Sequence, residues 1–164
     1  RLLLGNFIAA CTVMCRKSAL LSISGFKQPE YAPFVDYPTW LELSLLGEFS
    51  TVDDVMGYWR QHKKQASETM IMAMAKGPQC SIDFFTRMPP ETRRSIGISL
   101  NELTAYKQKA VALAFYSMGR ADLTERKWEE AQKNFINALR TGSPFTRFRA
   151  LGGLLCAFLK FTFE

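Results

Sequence analysis

Asp36, Arg60 and His62 each follow or close a predicted secondary-structure element, the position from which a side chain is free to do chemistry. A carboxylate, a guanidinium and an imidazole are groups that move protons or meet charged partners. Each also has a purely structural use. Asp36 can accept amide hydrogen bonds at the start of the helix that Pro38 begins. Arg60 can pair with Asp53 or Asp54 across a turn, for about 0 to 1 kcal/mol. His62, between Gln61 and Lys63-Lys64, reads as a solvated loop histidine. Gly25 either lets backbone approach a ligand closely or simply stops a helix. Cys11, Cys15, Cys80 and Cys156 contain no C-x-x-C pair, and with a single histidine they cannot complete an ordinary Cys/His zinc site. They read as reduced thiols, with Cys11 and Cys15 buried on one strand face.

These side chains need elements to hold them. Residues 7–15 (FIAACTVMC) are rich in strand formers, and a short helix follows from Arg16 to the Ser24-Gly25 turn. After Asp36, Tyr37 and Pro38 lead into a helical run whose apolar side is Trp40, Leu41, Leu43 and Leu45, with Gly47 as its stop. Trp40 lies on that apolar face and reads as core. Residues 49–59 read as a second strand. A helical connector occupies 68–98: Met70, Ile71, Met74 and Ala75 recur at helical spacing, Gly77-Pro78 interrupts, 82–88 continues, and Pro89-Pro90 interrupts again.

Ser99-Leu100-Asn101-Glu102 matches a capping box and predicts a long helix to about Met118, with Leu103, Val111, Ala114, Phe115 and Met118 inward and Lys107 and Lys109 in water. A second helix over 125–140 buries Trp128, Ala131, Phe135, Ala138 and Leu139, and a third runs from Pro144 to Phe161.

The motifs of residues 1–67 occur in one order: Asn6-Phe7-Ile8, Thr12-Val13-Met14-Cys15-Arg16-Lys17, Ser24-Gly25-Phe26, Asp36-Tyr37-Pro38-Thr39-Trp40-Leu41 and Tyr58-Trp59-Arg60-Gln61-His62. Together they resemble the C-terminal half of family-2 glycosyltransferases of the GT-A fold, whose usual forms are T-V-M-x-R-R, G-G-F, E-D-Y-x-L-W-L and Y-R-x-H. Val35, Ser24 and Glu42 stand where that family commonly has glutamate, glycine and arginine. The resemblance implies an α+β chain: an acceptor-side GT-A sheet region over 1–67, the connector, and an all-helical tail over 99–164.

It implies transfer of a sugar from a nucleotide-sugar donor to an acceptor hydroxyl, of inverting type, with Asp36 as general base. It places Gly25, Phe26 and Trp40 among substrate contacts and Arg60 beside the donor phosphates. It gives His62 as a ligand to a divalent cation, Mg²⁺ or Mn²⁺. The family's nucleotide-binding half carries an Asp-x-Asp metal motif, and none occurs in the 164 residues. The chain is therefore expected to be a fragment, inactive alone, that meets the cation only with an upstream half.

K-W-E-E-A-Q-K-N-F-I-N-A-L, at 127–139, resembles the second helix of a tetratricopeptide repeat. One unit makes no solenoid groove, so packing within the chain is expected.

Composition sets the bounds. With 48% hydrophobic and 22% charged residues the chain is no disordered segment. Its best apolar run, 150–159, falls short of the roughly 20 residues that span a bilayer. Residues 1–66 carry seven Lys/Arg against six Asp/Glu, and 67–164 carry fourteen against nine, so the excesses are +1 and +5. Basic residues interleaved with acids, without an aromatic platform, argue against nucleic acid. The expected partners are a nucleotide-sugar donor and a glycan or lipid-linked acceptor. The expected location is the cytoplasm, with peripheral contact at the inner face of a membrane. Self-association would cover an exposed strand edge. The competing reading is a non-catalytic helical protein-interaction module.

Overall fold

Local sequence signals start and stop most of the helices in the computed structural model, which describes residues 1–60, 62 and 76–161. Among the described residues these are α1 (Lys17–Ser22), α2 (Asp36–Leu43), α3 (Gly77–Arg87), α4 (Pro90–Ile96), α5 (Leu100–Thr124), α6 (Trp128–Thr141) and α7 (Pro144–Phe158), with 3₁₀ turns at Leu2–Leu4 and Ala10–Thr12. Gly77-Pro78 opens α3 and Pro90 opens α4, because proline's missing N–H has no partner to lose in a first turn. Ser143 caps α7 by accepting from the Thr146 amide at 3.2 Å. Met70, Ile71, Met74 and Ala75 lie outside the described residues.

The expected α+β class with a partial GT-A sheet is overturned, since no strand occurs among the described residues. Strand formers state a local preference, whereas a ladder needs a second backbone in register. Residues 7–15 bend through the Ala10–Thr12 turn, where the Thr12 hydroxyl donates to the Ala9 carbonyl at 3.0 Å. Residues 49–59 run without regular structure. The two stretches do approach, because a Cβ built on Gly57 would meet Thr12 Cγ2 at 3.3 Å, yet no ladder joins them. Cys11 and Cys15 are consequently exposed, not buried on a strand face.

The chain divides into two compact units, Arg1–Leu100 and Asn101–Glu164. In the first, α2 packs against α3, and the Leu2–Leu4 turn also lies against α3. Their shared interior holds Tyr37, Trp40, Leu41, Cys80, Phe84 and Phe85. Tyr37 donates its hydroxyl to the Leu2 carbonyl at 3.0 Å, and Glu42 pairs with Arg87 at 3.1 Å.

In the second unit, α6 and α7 form a closely packed antiparallel hairpin. Tyr116, Leu123, Ala131, Phe135, Ala138, Ala150 and Ala157 make its core, with Trp128 and Leu139 partly buried against it. Phe135 is fully buried between two glycines. A Cβ on Gly119 of α5 would lie 2.9 Å from its ring, and one on Gly153 of α7 would overlap it. α5 buries Leu103, as expected, with Lys107, Ala112, Tyr116, Gly119 and Leu123, so the centre of its inward stripe lies one position past the expected Val111, Phe115 and Met118, of which Phe115 packs partly buried against the core, and the stripe includes a lysine expected in water.

Candidate functional site

Two of the quoted motifs meet at the N-terminus of α2, where Asn6 bonds to Asp36. Leu20, Leu21 and Ser22 end α1, and the chain reverses through Ser24 and Gly25, both at positive φ (63° and 81°). The Gly25 amide donates to the Leu20 carbonyl and the Ser24 amide to the Leu21 carbonyl, each at 2.9 Å, the paired bonds of a Schellman terminus. The segment leaving that turn is fastened to α2 by Thr39. This fully buried hydroxyl accepts from the Lys27 amide at 2.8 Å and donates to the Val35 carbonyl at 2.5 Å.

Asp36 is the first residue of α2 and is half-buried. Its carboxylate caps nothing: the cap position is Val35, and no side chain accepts the helix's first amides. Instead Oδ2 accepts from Asn6 Nδ2 at 2.9 Å, across thirty residues of chain. The Asn6 Oδ1 accepts the Ile8 amide at 3.1 Å, which fixes the orientation of the amide group. A carboxylate gripped through one oxygen keeps the other for a ligand. An acid in the first turn also complements the helix dipole.

Beside α2 lies a cavity of about 520 Å³ lined by Lys27, Tyr31, Pro38, Cys80, Asp83 and Arg87, among others. Asp83 is committed within it, accepting from Tyr31 Oη and Gln79 Nε2, each at 2.6 Å. Burial, reinforced by the bond to Asp83, holds the Tyr31 phenol well above its ordinary range. Burial also raises the Tyr37 phenol.

The other expected site residues are placed differently. Phe26 is exposed beside its turn. Trp40 is 3% exposed, a core residue, so its ring faces offer no sugar platform, and its indole Nε1–H has no hydrogen-bond partner among the described residues. Arg60 is exposed and pairs with neither Asp53 nor Asp54. His62 is exposed outside regular structure. Among the described residues no three His, Cys, Asp or Glu side chains gather as a metal-holding group. Asn6 and Thr39 belong to the quoted motifs, yet their anchoring roles appear only when residues thirty and twelve apart meet. Asp83 and Tyr31 had no such signal. Set against models of protein families, curated proteins and solved structures, the chain matches none.

Proposed function

We propose that this chain supplies the acceptor side of a nucleotide-sugar-dependent glycosyltransferase, with Asp36 as general base. The observation that carries the reading is the Asn6–Asp36 hydrogen bond, which joins two of the motifs behind the resemblance and holds a half-buried carboxylate free of capping duty. The acceptor hydroxyl gives its proton to Asp36 Oδ1 as its oxygen bonds to the sugar's anomeric carbon. The bond from that carbon to the nucleoside diphosphate breaks and its electron pair leaves with the phosphate. Asn6 acts as a positioning residue. No step is routed through a metal. The reading places the chain in the cytoplasm, where nucleotide sugars are the donors.

The test is turnover of a panel of nucleotide sugars by the full-length gene product. Asp36→Asn keeps the size of the side chain and its bond to Asn6 while removing basicity, and is expected to lower kcat by about 10²- to 10⁴-fold with unchanged thermal unfolding. Asn6→Ala lowers it less. Turnover unchanged in Asp36→Asn removes the carboxylate as base and the reading with it.

A further inference from the structure

Helix α7 carries apolar residues on both its inner and its outer face, which a helix in a two-layer hairpin does not need. Its inner face is small: Ala150 and Ala157 are fully buried against α6, and Gly153 admits the Phe135 ring. Its outer face is large and uncovered. Phe145, Phe148, Leu151, Leu155, Phe158 and Leu159, spaced at helical i, i+3 and i+4 steps, are all between 56% and 76% exposed. An uninterrupted row of this size on a surface is a contact site.

Charge identifies what it contacts. Residues 131–163 contain five Lys/Arg and no Asp or Glu. Arg147, Arg149 and Lys160 are exposed on or next to α7, and helical geometry puts Arg147 and Arg149 on opposite margins of the row. The Arg149 guanidinium lies over the rings of Tyr116 and Phe145, 4.6 and 5.4 Å from their centroids. It shares a cavity of about 360 Å³ with Arg120, Ser117 and Thr124. Among the described residues no ion pair engages Arg120 or Arg149. Two guanidiniums without an acidic partner among the described residues, and the Ser117 hydroxyl, beside an apolar row suit a phosphate attached to something greasy, the Thr124 hydroxyl being spent on the Arg120 carbonyl. A second copy of this chain fits poorly, since two such faces would set cations against cations.

We propose that α7 is an interfacial helix that seats its Phe/Leu row in an anionic lipid surface, with a lipid phosphate in the Arg120–Arg149 cleft. Phe and Leu enter the acyl boundary while the flanking cations remain at headgroup level. The inference is independent of the sugar-transfer reading, because none of its residues belongs to that site.

Co-sedimentation of the 164-residue chain with vesicles tests it. Binding is expected to vesicles of phosphatidylcholine plus phosphatidylglycerol, to weaken with added salt, and to be absent with phosphatidylcholine alone. Phe148→Ser with Leu155→Ser should weaken binding about tenfold or more at unchanged thermal unfolding, because both side chains are exposed. Arg120→Gln and Arg149→Gln should each weaken it about fivefold. Binding that ignores lipid charge, or that survives the Phe148/Leu155 change, overturns the proposal. So does absence of vesicle binding accompanied by a dimer that Phe148→Ser abolishes, or by inorganic phosphate binding at the cleft alone.

Discussion

Ser24, Arg126 and Lys160 occupy the left-handed region, at φ of 63°, 58° and 52°, where a Cβ crowds the next carbonyl at a cost of roughly 1–2 kcal/mol. Each stands just past a helix, and in each case the following amide reaches back five residues: Gly25 to Leu20, Lys127 to Asp122 and Phe161 to Cys156. The closing bonds hold the three residues in a conformation usually left to glycine. Ser24→Gly and Arg126→Gly should therefore each raise the unfolding free energy by about 0.5–1 kcal/mol, the relief exceeding glycine's extra freedom in the unfolded chain. Urea denaturation measures it, and a lower midpoint would count against strain at these turns. At Ser24 the same change makes the Gly-Gly pair usual in the resembling motif, so the substitution is not expected to disturb the segment held by Thr39.

Among the elements, the α6–α7 hairpin shows what periodicity can convey. Ala131, Phe135, Ala138 and the Pro144 start were readable because a proline in the first turn and a 3.6-residue repeat are local properties that packing here reinforces. The glycines of α5 and α7 were not readable in the same way. Gly119 and Gly153 look like weak points in a helix until the Phe135 ring is placed between them. Gly153→Ala should cost about 1–3 kcal/mol by overpacking, despite alanine's better helix propensity, and Phe135→Leu in the same chain should recover part of the loss. Comparing the single and double variants by denaturant unfolding checks the coupling. Where two distant segments had to meet, the sequence misled. Residues 7–15 and 49–59 contain strand formers in plenty, but whether a ladder forms depends on a partner that neither segment specifies. Lys107 misled in the opposite sense, a charge on a stripe that turned out to be inward. Asp36 was legible as a residue of interest from its place before α2, whereas its partner was not, since hydrogen-bond pairing over thirty residues leaves no pattern in the chain.

At the scale of the molecule, stability at high pH is a property of the first unit's phenols. Tyr31 and Tyr37 are both shifted upward, by burial first and, for Tyr31, by Asp83 next. A group raised in the folded state contributes fully below its unfolded value and loses that contribution as pH climbs toward the folded one. Stability is thus expected to be level through neutrality and to fall above about pH 10. Tyr31→Phe should lower stability at pH 7 by about 1 kcal/mol, through loss of the bond to Asp83, and make the alkaline decline shallower. Urea midpoints measured against pH distinguish this from a decline that Tyr31→Phe leaves untouched. Across the described residues no helix is long and apolar enough to cross a membrane. The lodging of Phe135 bears on how the outer face of α7 can respond. If α7 slid one turn along its axis, Arg149 or Ala157 would arrive where Gly153 now stands, and a similar shift of α5 would bring Phe115 or Leu123 to the place of Gly119. Neither exchange leaves room for the ring. The hairpin is keyed against shear, so a force applied to its outer face is passed on to α5 instead of being absorbed by slippage.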